Sequence, residues 1–177
     1  MKILRFVIFL LLSNIAQAQE GIDAGALNSV VQEIVTGSGP VTKQEYDKFW
    51  AQFGANTTED RSRLIGLMKQ RFMLTQEYQR EVWICAEQAW NLRSVPRCEK
   101  AQNKLNLLKN EMKDNQAAVS PLEDYSTKLL KAAASHGSIQ NPNGNGDVPV
   151  SLEMIKTTRS GLDKMLSRLS QVMRPNY

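Results

Sequence analysis

From Thr57 onward the chain places Ile65, Met68, Phe72, Thr75, Gln79, Val82, Ala86 and Ala89 at alternating steps of three and four. That is a heptad seam, and it predicts one long helix. The helix is expected to start at Thr57 or Thr58, with Glu59 and Asp60 in its first turn, where the helix dipole favours negative charge. Thr75 and Gln79 interrupt the apolar seam, a pattern that suits a helical bundle as well as a regular coiled coil. A second seam follows in Cys98, Ala101, Leu105, Leu108, Met112 and Val119, interrupted at Asn115. Between the two, Asn91 to Ser94 reads as a turn, with Ser94 as N-cap and Pro96 in the first turn of the next helix, where a missing amide costs nothing.

Shorter helical patterns flank this pair. Ile22, Leu27, Val30, Val31, Ile34 and Val35 predict a first helix over Ile22 to Val35, broken at Gly37, Ser38, Gly39 and Pro40. Thr42 with Glu45 three positions later forms a capping-box sequence opening a helix that carries Tyr46, Phe49, Trp50 and Phe53, and Gly54 is a natural left-handed stop. Ser120, Pro121 and Glu123 suggest another capping box, opening a helix with Leu122, Tyr125, Leu129 and Ala133 that ends near Gly137. Residues 138–150, rich in Asn-Gly and Asn-Pro steps, read as a flexible loop. Ser151 then caps a last helix along Ile155, Thr158, Leu162, Met165, Leu169 and Val172.

The two cysteines tie the long seams together. If Cys85 faces Cys98 in an antiparallel hairpin, Val82 meets Ala101, Tyr78 meets Leu105, Thr75 meets Leu108 and Met68 meets Asn115. The same register puts the turn at Asn91 and Leu92, where turn chemistry independently places it. The fold expected is therefore all-α, an elongated bundle built on a long antiparallel helical hairpin, with short N-terminal helices and a C-terminal helix.

The first residues alter the compartment. Lys2 and Arg5, the apolar run Phe6 to Leu12 and the triplet Ala16, Gln17, Ala18 read as a secretory signal cleaved after Ala18, as opposed to a retained anchor helix. Residues 1–18 are then the signal and 19–177 a single helical domain, periplasmic or secreted. The run is shorter than the roughly 20 apolar residues that span a bilayer, and no transmembrane span is expected in the mature chain. Export favours a structural Cys85–Cys98 disulfide over free or intermolecular thiols. The formal charge of +4 includes Lys2 and Arg5, which leaves +2 on the mature chain. Its lysines and arginines alternate with carboxylates, as in Glu99, Lys100, Lys104, Lys109, Glu111 and Lys113, the pattern of solvated helix faces and not of a nucleic-acid stripe.

Candidate chemistry is sparse. The lone His136 sits where a helix should end, suited to interacting with its free carbonyls, with a general-base role toward Ser135 or a distant serine as the alternative. Glu77 and Glu81 lie one turn apart beside Arg80, but no ligand set completes a metal site, and no cofactor motif occurs. Arg61, Arg63, Lys69 and Arg71 read as the polar half of an amphipathic helix, with an anionic-substrate pocket as the alternative. Trp83 and Trp90, seven residues apart, flank the hairpin seam. They require cover, either from Phe49, Trp50 and Phe53 or the C-terminal seam around Leu162 and Leu169, or from a partner protein. Trp83, Trp90, Phe49 and Trp50 are accordingly the partner-binding candidates.

A signal ending in Ala-Gln-Ala-Gln, a short helix, a Gly-Pro break and a long helical hairpin resembles the outline of minor pilus or periplasmic subunits of type IV secretion and conjugation machines. The resemblance implies a non-enzymatic interaction or structural subunit of the bacterial envelope, with other envelope or secretion-machine proteins as partners and oligomer formation compatible with it. Two other readings fit a secreted helical chain: an enzyme of chorismate-mutase type with scattered Arg, Lys and Glu, and a periplasmic chaperone. The chaperone would line a groove with methionines, although Met68, Met112 and Met165 fall on seams, where core packing is the simpler role.

Overall fold

The computed structural model describes residues 33, 34, 36–140 and 146–174. The expected signal segment, all but the end of the expected first helix, and the centre of the Asn-Gly segment lie outside them. The described residues form an all-α fold accompanied by one two-stranded β-hairpin.

Helix α1, Lys43–Ala51, opens on the Thr42 capping box. The Glu45 amide donates to Thr42 Oγ1 at 3.2 Å, and the Thr42 amide donates to Glu45 Oε2 at 2.7 Å. The helix buries Tyr46, Phe49 and Trp50, and the chain turns out of it at Gly54, whose φ of 62° is in the left-handed region where glycine is at ease. Helix α2, Thr58–Met68, is capped by Thr57, and runs through one π turn, Lys69–Met73, into helix α3, Leu74–Leu92. Side chains of the predicted seam on both sides of that turn, from Ile65 to Ala89, are buried.

Helix α4, Glu99–Glu111, returns along α3. Three pairs fix the antiparallel course: Cys85 with Cys98, Glu77 with Lys104, and Arg71 with Asp114. The cysteines are joined in a disulfide with their Cα atoms 5.7 Å apart. The turn itself differs from expectation. Arg93 ends α3 in a left-handed conformation, residues 94–97 are non-helical, and Cys98, also left-handed, holds the N-cap position with no side-chain cap bond. Ser94 therefore caps nothing and Pro96 lies before the helix. A residue preceding proline is pushed out of the α region, and the disulfide, anchored on α3, sets where α4 begins.

The second seam is also interrupted. α4 stops at Glu111, and Lys113–Ala118 winds as a 3₁₀ helix before α5, Ser120–Ser135. Because the chain arrives at Val119 already in helical conformation, Ser120 has no capping role and the expected capping box is not formed. The end of α5 is likewise shifted by one residue. His136, with a φ of 54°, takes the left-handed position expected of Gly137, and the Gly137 amide reaches back to the Ala132 carbonyl at 2.8 Å.

Residues 138–150 are not simply a loop. Ser138–Gln140 (β1) pairs antiparallel with Asp147–Pro149 (β2), Ile139 opposite Val148. Ile139 and Val150, near its two ends, are buried, so apolar residues there pack onto the bundle. Helix α6, Leu152–Val172, is capped by Ser151 and buries Ile155, Leu162, Met165, Leu169 and Val172.

α3 is the central element, packed against α4, α5 and α6. α1 closes one end of the bundle: Trp50 Nε1 donates to the Val172 carbonyl at 3.0 Å and Tyr46 Oη to the Arg174 carbonyl at 2.7 Å, satisfying acceptors at the end of α6 that no helical amide reaches. Buried Arg168 of α6 ties the segment before α1 to the bundle, donating to the Ile34 carbonyl, to the Gly39 carbonyl at 2.5 Å and to Glu45 Oε1 at 2.6 Å. Gly37 lies so close that a β-carbon there would stand 2.7 Å from the Arg168 Cζ.

The disulfide closes a loop with a sequence separation of 13. Closing a loop of that size in the unfolded chain is worth about 3 kcal/mol. Replacing both cysteines by serine is expected to lower the melting temperature of the oxidised protein while the far-ultraviolet helical signal at room temperature is retained; an unchanged melting temperature would refute the stabilising role.

Candidate partner-binding surface

The four aromatic candidates separate sharply. Phe49 and Trp50 are fully buried, packed edge to face with centroids 5.1 Å apart and beside Phe53. Trp83 is 3% exposed. The ion pairs Arg80–Asp163 and Glu87–Arg159 lie on either side of it, so α6 is the element that covers this flank of α3. Trp90, in the last turn of α3, is half-buried. His136 stacks on it with ring centroids 3.7 Å apart and planes within 10°, and His136 Nε2 lies 3.0 Å from the Trp90 carbonyl oxygen. A carbonyl only accepts, so Nε2 carries its hydrogen there. The histidine thus joins the ends of α3 and α5, which is the helix-end placement expected from sequence, though its acceptor belongs to the neighbouring helix.

Of the charged residues weighed for chemistry, Glu77, Arg80, Glu81, Arg61 and Arg71 are engaged with neighbouring groups, whereas Arg63 and Lys69 take part in no ion pair among the described residues. Glu77 binds Lys104 of α4, whereas Glu81 binds Arg80, whose guanidinium is held charged chiefly by its hydrogen bond to Asp163. Arg61 lies over the Tyr46 ring and donates to the Ala55 carbonyl, and Arg71 pairs with Asp114. Of these groups Arg80 and Glu81 line one pocket beside the disulfide, together with Arg97, Glu99 and Lys100, whereas Glu77, Arg61 and Arg71 are not part of its lining. Burial pushes the Tyr125 hydroxyl up to about 12 and raises Tyr78, which donates to Ser126 Oγ, so both phenols stay neutral. Among the described residues no cluster of three or more His, Cys, Asp or Glu side chains is arranged for a metal.

Among the described residues three large apolar side chains are strongly exposed, two at the segment read from sequence as a turn and Leu107, 51% exposed, on α4. Leu92 is 63% exposed and Val95 50% exposed, both at the tip of the α3–α4 hairpin. Between and beyond them stand exposed Arg93 and Arg97. Left-handed Arg93 and left-handed, disulfide-bonded Cys98 bracket the tip, and the Trp90–His136 stack braces its base. Leu92 and Val95 gave no sequence signal, because an apolar residue beside a seam reads as core. What distinguishes them is the non-helical turn that follows Leu92, along which Val95 lines a pocket with Tyr78, Ala101, Ser126 and Leu130.

No protein-family model, curated protein or solved structure matches the chain.

Proposed function

We propose that this chain is an exported, non-enzymatic subunit that works by docking onto another component of the bacterial envelope, in the manner of a minor pilus or periplasmic subunit of a type IV secretion or conjugation machine. The observation that carries the binding role is the hairpin tip: two exposed aliphatic side chains, Leu92 and Val95, on a turn stapled at Cys98 to the central helix. An apolar group left in water on a rigid turn costs the isolated protein free energy that an interface recovers, and rigidity lowers the entropy cost of docking. The export signal and the outline shared with secretion-machine subunits supply the setting.

A photo-crosslinking residue at position 92 or 95, activated in the intact envelope, is expected to give adducts, while the same residue at exposed Lys156 on α6 gives none. Absence of adducts from both tip positions in correctly exported, oxidised protein would overturn the docking role.

A further inference from the structure

We propose that the Cys85–Cys98 disulfide is a redox switch: oxidised, it holds the start of α4 unwound, and on reduction by a dithiol α4 grows back through Cys98 to Pro96. The switch goes beyond the docking role and does not depend on it.

The backbone supplies the first argument. Cys98 has a φ of 52° and a ψ of 39°, the left-handed conformation that residues with a β-carbon rarely adopt. It takes the N-cap position of α4 in that conformation, and no side-chain cap bond accompanies it. A left-handed residue other than glycine persists where its surroundings over-determine it. What holds Cys98 is its bond to Cys85 on α3, which sets the two Cα atoms 5.7 Å apart.

The local sequence favours the other form. Pro96 is suited to the first position of a helix, where its ring fixes the required φ and its missing amide has no partner to lose. Val95 is then the N-cap, in the extended conformation that a following proline enforces. In the oxidised protein residues 95–98 have no regular structure, and the first amide bond of α4 runs from the Gln102 amide to the Cys98 carbonyl at 3.0 Å. Winding back to Pro96 would pair the Glu99, Lys100 and Ala101 amides with the Val95, Pro96 and Arg97 carbonyls, and would return Cys98 to right-handed winding. Residues 93–95 remain as the connection, an ordinary length between antiparallel helices.

Room and access supply the third argument. Pro96, Arg97 and Cys98 line two clefts, one against Glu81 and Gln88 of α3 and the other against Ser126 and Leu130 of α5, so the segment that must rewind has space on both sides. Cys85 is 3% exposed whereas Cys98 is half-buried, which makes Cys98 Sγ the sulfur that an incoming thiolate reaches. One thiolate of the dithiol attacks Cys98 Sγ, forming a mixed disulfide and releasing Cys85 as a thiolate that takes up a proton. The second thiolate attacks the donor's sulfur in that mixed disulfide and releases Cys98, which is protonated in turn. The dithiol leaves as a disulfide, and the protein has gained two electrons and two protons.

The test is nuclear magnetic resonance and amide exchange on the mature protein, first oxidised and then treated with dithiothreitol in the absence of denaturant. Dithiothreitol is expected to reduce the folded protein, the Cα shifts of Pro96, Arg97 and Cys98 to move to helical values, and exchange at Glu99, Lys100 and Ala101 to slow by about tenfold or more. Cys85→Ser, with Cys98 retained, should show the same shifts without reductant. Pro96→Gly should diminish the slowing in the reduced form, because the preset φ is gone. A disulfide that resists dithiothreitol until urea unfolds the protein overturns the proposal. So does a reduced protein that loses its helical signal, or one in which the three amides exchange as fast as in the oxidised form.

Discussion

Trp83→Ala is expected to lower the stability of the isolated protein by about 3–5 kcal/mol, the range found when a buried aromatic is truncated to alanine. For a domain of this size that corresponds to a fall in melting temperature on the order of 10 °C. The side chain is 3% exposed and lies on the flank of α3 that α6 covers, between the Arg80–Asp163 and Glu87–Arg159 pairs. The surroundings are drawn from two rigid helices and will not collapse readily around the missing ring. Trp90→Ala should cost about half as much, because Trp90 is half-buried and loses chiefly its stack on His136. Calorimetry on the two oxidised variants checks the order. A Trp83→Ala protein that melts with wild type would mean that α6 does not cover this flank.

The second large effect belongs to Arg168, 4% exposed. Arg168→Met removes the charge and all its donors while keeping much of the length, and strands the Ile34 and Gly39 carbonyls and the Glu45 carboxylate. Removing one partner of a buried pair costs about 3–5 kcal/mol, measurable as a shift in the urea midpoint. The same cluster is sensitive to acid. Hydrogen bonding from the Thr42 amide, reinforced by the Thr42 hydroxyl and Arg168 against an opposing effect of burial, holds the Glu45 carboxyl below its ordinary value. The unfolded chain therefore takes up this proton more readily than the folded one, and stability rises with pH across the window between the two pKa values. The contribution is complete above the unfolded carboxyl value of about 4.3 and is lost as pH falls through the lower folded value. Glu45→Gln should flatten this part of the acid limb; an acid limb unchanged in the variant would show that Glu45 does not contribute.

How much of this was legible in the sequence depended on how local each feature is. The caps at Thr42, Thr57 and Ser151, the stop at Gly54 and the three-four seam through α3 are set within a few residues, and each stands where its sequence signature places it. The Cys85–Cys98 pairing was accessible because two cysteines in a chain whose first residues read as an export signal have few alternatives. Arg168 was not legible: it sits between the seam residues Met165 and Leu169 like any helix-surface cation, and only the arrival of the Ile34 and Gly39 carbonyls gives it a buried role. Gln76 is a similar case. It lies off the seam yet is wholly buried, with neither amide atom bonded to a described group, because α6 covers a second flank of α3 that the hairpin seam does not include. Leu92 and Val95 escaped notice for the converse reason, since pattern reading assigns apolar residues to the inside and cannot see where a turn leaves them at the surface.

The π turn at Lys69–Met73 bears on how this chain tolerates change in length. A turn closed by i to i+5 hydrogen bonds holds one residue more than an α turn over the same stretch of axis. The extra residue is absorbed on the spot, so that Ile65 before it and Val82 beyond it both face the core. Loss of a single residue inside this stretch would return it to ordinary winding with both faces still in phase. Loss of one residue anywhere else between Thr58 and Leu92 would rotate everything beyond it by about 100°, carrying a buried seam into water. Of the whole long helix, this one turn is the place where an insertion has already been accommodated and where a deletion is cheapest.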